Sequence, residues 1–248
     1  MVVFFDRAAR VQSKLISNSS RDPMNFQGKR GQAAEPTRAP KSTNIQPVPH
    51  RVSREQRVRQ TGHAGAVIWL TGLSGAGKST LAMELEKELL RLGYSGYVLD
   101  GDNVRGGINS NLGFSQKDRC ENIRRVGEVA ALFADAGLIC IAAFIAPYAG
   151  DRAIARAALG SGSFHEVYVK ADLALCEARD PKGLYAKARR GELPEFTGIS
   201  APYEVPANPE LVIDTARLNL QRCLDELVGY VITSVPLSDP KSRGPIHD

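Results

Sequence analysis

The sequence predicts an α/β fold: a central, mostly parallel five-stranded sheet with helices packed on both faces. Two observations carry that expectation. From Ala64 onward, apolar runs of strand length alternate with amphipathic segments of helical period, the pattern of a parallel sheet wrapped by its own crossovers. The first run, "AGAVIWLTG", is apolar throughout and ends in glycine, which suits a strand buried on both faces better than a half-exposed one.

Each element follows from its own residues. After the first strand, "STLAMELEKELLRLG" places Leu81, Leu85, Leu89 and Leu92 at helical spacing, and Gly93 supplies a stop. "GYVLD" is the second strand. "KDRCENIRRVGEVAALFADAG" is helical, with Ile123, Val126, Val129, Ala130 and Phe133 on one face. "LICIAAFI" is the third strand and "DRAIARAAL" a short helix. "FHEVYVK" is the fourth strand, "LALCEARD" a brief helix and "ELVIDT" the fifth strand. "LNLQRCLDELVGYVI" closes the chain as an amphipathic helix.

Composition narrows the function classes. The net charge of +5 is unevenly placed: residues 1–62 hold 12 basic and 4 acidic side chains, leaving 20 and 23 for residues 63–248. The basic balance belongs to the N-terminal arm and gives no argument for a nucleic-acid partner. No run of about 18 apolar residues occurs, so no membrane partner is expected. Cys120, Cys140, Cys176 and Cys223 are widely spaced, with no C-x-x-C. They read as free thiols of a reducing compartment rather than a zinc or disulfide framework, and a cytoplasmic location is expected. Residues 1–43, rich in Arg, Lys, Ser, Asn, Gln and Pro, cannot bury enough apolar surface to offset chain entropy. They are expected to be a disordered basic tail, with an organellar transit peptide as the alternative. An arm over 44–63, a main domain over 64–235 and a flexible tail over 236–248 complete the expected organisation.

"GLSGAGKS", Gly72–Ser79, fits G-x-x-x-x-G-K-[ST]. At average composition such a pattern arises by chance in about one in a hundred chains of this size, and here it lies between a strand and a helix, the context that gives it meaning. Gly72, Gly75 and Gly77 permit a backbone whose N–H groups point at phosphate oxygens, and the following helix adds its positive end. Lys78 can reach the β- and γ-phosphates, and Ser79 can ligate Mg²⁺. The motif therefore marks an ATP-type triphosphate site built by Gly72, Leu73, Ser74, Gly75, Ala76, Gly77, Lys78, Ser79 and Thr80.

The acceptor is read from "LDGDNVRGGIN", Leu99–Asn109. In such folds ligands gather at the carboxyl edge of the sheet, which puts the end of the second strand beside the phosphate loop. A hydroxyl acceptor needs a carboxylate to position it and take its proton. Asp102 is the candidate, with Asp100 as the alternative. Arg105, Arg119, Arg124 and Arg125 point to an acceptor carrying oxyanions. Surface pairing with Asp118, Glu121 and Glu128 is the competing account of Arg124 and Arg125. No N/T-K-x-D base-reading motif of GTPases follows, and the short domain suits a small-molecule kinase.

"GLSGAGKST", "LDGDNVR", "LGFS", "DRCENIRRVGEVAALFADAG", "DPKGLYAKAR" and "FTGISAPYEVPANPELVIDT" occur in that order. Together they resemble the adenylylsulfate kinase (APS kinase) family, from about Asn44 to Thr215. The resemblance implies a P-loop kinase fold with a mobile lid. It also implies transfer of phosphate from ATP, with Mg²⁺, to the ribose 3′-hydroxyl of adenylyl sulfate, and a homodimer. It assigns Asp102, Asn103, Val104 and Arg105 to the adenylyl-sulfate site, and Phe114 and Phe196 to the two faces of its adenine. Arg119 and Asn122 would meet the phosphosulfate, Ile145 would pack at the base and Lys182 would reach the substrate. Arg179 would stack on the adenine of ATP, and Lys182–Gly198 would form the lid. Aromatics in glycine-bearing loops suit base stacking.

Three positions depart from the family pattern. "FIAPY" carries Ala146 where a serine, phosphorylated in some members, is usual. Gly106 stands where His or Gln is common. Glu195 replaces the glycine that usually precedes the lid phenylalanine, bringing a carboxylate near an anionic substrate.

Overall fold

The computed structural model describes residues 42, 44–46, 48–160 and 164–238. The tail expected over 1–43, apart from Ser42, and the end of the C-terminal tail lie outside them. Five strands, β1 (Ala66–Thr71), β2 (Gly96–Asp100), β3 (Ile139–Ala143), β4 (Phe164–Lys170) and β5 (Leu211–Asp214), form one sheet in the order β2-β3-β1-β4-β5. Every pairing is parallel, so the expected "mostly parallel" sheet is wholly so.

β1 is buried at all six positions, and its alternate side chains feed two cores. Ile68 and Leu70 face Leu81, Leu85 and Leu89 of α2 (Lys78–Arg91), with Leu227 and Val231 of α8 (Leu220–Ser234) behind them. Val67 and Trp69 face Ile123, Val126 and Ala130 of α4 (Gln116–Asp135), with Ala155 of α5 (Ala149–Ala157). Each buried leucine or isoleucine contributes about 1.5–3 kcal/mol, which is why β1 had to be apolar throughout. α4 and α5 cross at Gly127, where an added Cβ would lie 2.7 Å from the Ala155 Cα.

Three helices were not legible as helices. α1 (Arg54–Thr61) lies in the expected arm and buries no residue, so it shows no apolar period; its one signal is a capping box between Ser53 and Gln56. α3 (Gly101–Gly106) occupies the stretch directly after the second strand, and Asp100 starts it by accepting the Asp102 N–H at 3.0 Å. α7 (Leu184–Arg189) lies within the expected lid. α6 (Leu173–Arg179) is the brief helix expected after the fourth strand. β2 is also not the hydrogen-bonded neighbour of β1, because β3 runs between them. Its tip still reaches the phosphate loop through a side chain.

Candidate active site

The strand order reverses around β1, with β3 on one side and β4 on the other. That opens a crevice beyond its carboxyl end, and the loop from Gly72 to Gly77 fills it. Gly72, Gly75 and Gly77 have φ of 152°, 75° and 102°, values that a side chain disfavours. α2 begins at Gly77 with no side-chain cap and no acidic residue in its first turn. Its free N–H groups and dipole are therefore left for an anion.

Three side chains hold the loop from outside. The Tyr185 hydroxyl donates to the Ser74 carbonyl (2.9 Å), Arg179 Nη1 to Gly75 (3.3 Å) and Thr215 Oγ1 to Ala76 (3.0 Å). A carbonyl turned outward at Ser74 and Ala76 turns the next N–H of its planar trans peptide, that of Gly75 and Gly77, the other way, while the Ala76 N–H closes a turn on the Leu73 carbonyl at 3.2 Å. Arg179 is itself fastened to the Thr215 carbonyl at 2.7 Å. Leu73 is half-buried and Thr80 exposed. Lys78 is buried and donates to the Leu73 carbonyl at 2.7 Å; burial pulls its pKa down to about 8, against the attraction of nearby Asp100.

The carboxylates of "LDGD" divide. Asp100 is buried, accepting the Ser79 hydroxyl at 2.6 Å and capping α3. Asp102 is exposed and pairs with Lys182, at the start of the segment expected as a lid. Asp102 is thus the carboxylate exposed at the surface, while Asp100 is committed to the phosphate loop. Asn103 is exposed beside it and Val104 half-buried.

Arg105 Nη1 donates to the Gly113 carbonyl at 2.8 Å, and its guanidinium lies 4.4 Å from the centre of the Phe114 ring. Phe114 is 67% exposed, a large ring left facing solvent. Arg119 links its loop to the segment around Phe196: Nε donates to the Phe114 carbonyl and Nη1 to Thr197 Oγ1, each at 2.8 Å, and Nη2 to the Glu195 carbonyl. One guanidinium therefore ties together the loops bearing Phe114 and Phe196. Asn122 is buried and accepts from Asn109 Nδ2 at 3.0 Å. Ile145 is half-buried, and its carbonyl accepts from Thr71 Oγ1 at 2.6 Å. Arg124 and Arg125 are paired with Glu121, which is held down to about 2 first by its hydrogen bond from Arg124. For these two arginines the surface-pairing account holds.

The backbone at the three departures requires none of the residues found there. Glu195 has φ 55°, the left-handed conformation that glycine adopts freely and other residues adopt at a cost, so a glycine there is the easier choice. Ala146 is buried with φ 42°. A Cβ on Gly106 would meet nothing within 4 Å, so the backbone there does not require glycine. Sequence reasoning missed Tyr185 and Thr215, whose role lies in contacts 111 and 139 residues away in the chain. Among the described residues no cluster of three or more His, Cys, Asp or Glu suited to a metal occurs. The four cysteines are free thiols.

A glycine loop feeding an uncapped helix, a buried lysine, and a serine–aspartate pair at the tip of a neighbouring strand define a P-loop kinase. The family model for adenylylsulphate kinase matches residues 64–214. The adenylyl-sulfate kinase of Staphylococcus epidermidis is 56% identical over 180 residues, 73% of this chain and 90% of that protein. The APS kinase CysC of Mycobacterium tuberculosis, solved with AMPPNP and APS, is 48% identical with a TM-score of 0.64, over 69% of this chain and 97% of that one. A hexameric APS kinase from Thiobacillus denitrificans is 34% identical with a TM-score of 0.54, over 72% of this chain and 31% of that one. The chain belongs to the adenylylsulfate kinase family and is an adenylyl-sulfate kinase.

Proposed function

We propose that the protein transfers the γ-phosphoryl group of ATP to the ribose 3′-hydroxyl of adenylyl sulfate, giving 3′-phosphoadenylyl sulfate and ADP. The observation that carries this is the division of the two aspartates: Asp100 tied to Ser79 at 2.6 Å, Asp102 exposed across from Lys182. Gly72–Thr80 binds the triphosphate, with Lys78 on its terminal phosphates and Arg179 beside the nucleotide. Asp102 orients the attacking hydroxyl and takes its proton. Arg105, Arg119, Asn122 and Lys182 serve the acceptor's anionic groups, Asn103, Val104 and Ile145 line its site, and Phe114 and Phe196 stack on its adenine. The lid over Lys182–Gly198 opens for substrate by breaking the Lys182–Asp102 pair.

The residues present fit Mg²⁺. A serine hydroxyl and a carboxylate are hard oxygen donors, and this ion is held by one or two such groups plus phosphate oxygens. Ser79 and Asp100 would hold it, and when bound it supplies neutralisation of phosphate charge. No hydroxyl stands at position 146, and phosphoryl transfer needs positioning and electrostatics rather than a covalent relay, so transfer runs directly from ATP. Ala146→Ser should change turnover less than about threefold; a large gain would overturn direct transfer. The resemblance to the family supports a homodimer and a kinase domain over 64–235, and the thiol pattern supports a cytoplasmic location. Light scattering of the purified protein would decide between a dimer and a larger assembly.

The central test supplies purified protein with ATP, Mg²⁺ and adenylyl sulfate and follows ADP release. Turnover well above an Asp102→Ala control is expected. Turnover no greater than that control, or a preference for another alcohol, would overturn the reading.

A further inference from the structure

Tyr185 is 2% exposed, yet it lies on a helix of the lid and its two ends touch two different parts of the site. Its hydroxyl donates to the Ser74 carbonyl of the phosphate loop at 2.9 Å. Its ring meets the Phe196 ring edge-on, with centroids 5.1 Å apart and planes at 78°. That is the favourable geometry for an aromatic pair. The backbone beneath it is fixed as well: Asp180 accepts the N–H groups of Tyr185 and Ala186, each at 3.1 Å. It thereby caps α7, whose own start at Gly183 has no side-chain cap. Burial raises the phenol's pKa well above its ordinary value, so the group stays a neutral donor.

We propose that Tyr185 is a positioning residue that sets the donor and acceptor subsites together, its hydroxyl fixing the phosphate loop and its ring fixing Phe196. The second half rests on the reading of Phe196 as a face of the acceptor's adenine. A carbonyl held outward at Ser74 turns the next N–H inward, so loss of the hydroxyl loosens nucleotide binding. A ring packed at right angles to Phe196 fixes the orientation in which Phe196 is held, so loss of the ring loosens acceptor binding. The same side chain carries both, and the coupling must be reciprocal: nucleotide and acceptor each tighten the other's binding.

Two variants separate the halves. Tyr185→Phe removes only the hydroxyl. It should raise the KM for ATP and the Kd for AMPPNP about fivefold, the worth of one hydrogen bond, with the KM for adenylyl sulfate at saturating ATP unchanged. Tyr185→Leu removes the ring as well and should in addition raise the KM for adenylyl sulfate about tenfold. Unchanged nucleotide parameters in Tyr185→Phe would overturn the proposal. So would a fall in kcat and thermal stability in both variants with neither KM moved, which marks a purely structural role. Should Tyr185→Leu fail to fold, Phe196→Leu in the Tyr185→Phe background tests the coupling: effects on the two KM values that simply multiply would overturn it. If wild-type protein does not turn over adenylyl sulfate, the functional reading fails, while calorimetric AMPPNP affinity still decides the hydroxyl half.

Discussion

Lys78 sits where burial and charge oppose each other. Desolvation lowers its pKa to about 8, whereas a bound triphosphate stabilises the ammonium form and raises it again. A base whose pKa is higher in the complex takes up a proton on binding between the two values. Affinity is therefore full below about pH 8 and declines as pH rises through and beyond it. Calorimetry of AMPPNP in buffers of different ionisation enthalpy should show fractional proton uptake at pH 8–9 and almost none near pH 6.5. Glu195 is the second informative residue. Its left-handed backbone costs about 1–2 kcal/mol, while glycine would cost about 0.5–1 kcal/mol in chain entropy. Glu195→Gly should then raise stability by about 0.5–1 kcal/mol in urea denaturation.

At the scale of elements, the termini and crossings of helices decide what a substitution does. α5 has no cap from its own N-cap residue, Tyr148. Glu204 supplies one from 55 residues away, accepting the Ala149 N–H at 2.7 Å. Glu204→Ala should cost about 1 kcal/mol, measured by equilibrium unfolding, with Glu204→Gln keeping most of it because the amide oxygen still accepts. At the α4–α5 crossing, Gly127→Ala gains about 1 kcal/mol of helix propensity. It also drives a Cβ to 2.7 Å from the Ala155 Cα, and overpacking costs about 1–3 kcal/mol. The expected outcome is a net loss, opposite in sign to propensity alone. The alternation of strands and long helices was visible because each buries a face and so shows a period. α1 and α3 bury no residue, and a helix without a buried face leaves no period to read.

For the whole molecule, binding at the carboxyl edge should stabilise the fold by mass action. AMPPNP at a hundredfold excess over Kd is worth about 2.7 kcal/mol, a Tm rise of about 5–10 °C for a domain of this size. Lys78→Met should abolish most of that rise in a thermal-shift assay while leaving the ligand-free Tm within a few degrees. The strand order explains why one loop can have so wide an effect. With β1 central, its carboxyl end touches elements from both halves of the chain, and the Ser79–Asp100 bond links it to β2 across an intervening strand.

By itself the sequence determined the α/β class, the phosphate loop and the stretch "LDGDNVRGGIN" as its companion. These depend on local period, on glycine conformation and on residues adjacent in the chain. Only the tertiary structure decided which aspartate is committed and which is open, since that turns on Ser79, 21 residues before Asp100, and Lys182, 80 after Asp102. It likewise decided that Tyr185, Arg179 and Thr215 hold the loop, and that Arg119 joins the loops of Phe114 and Phe196. A hydrogen bond between distant residues carries no period and no spacing. It exists once the sheet has brought the two ends to one edge.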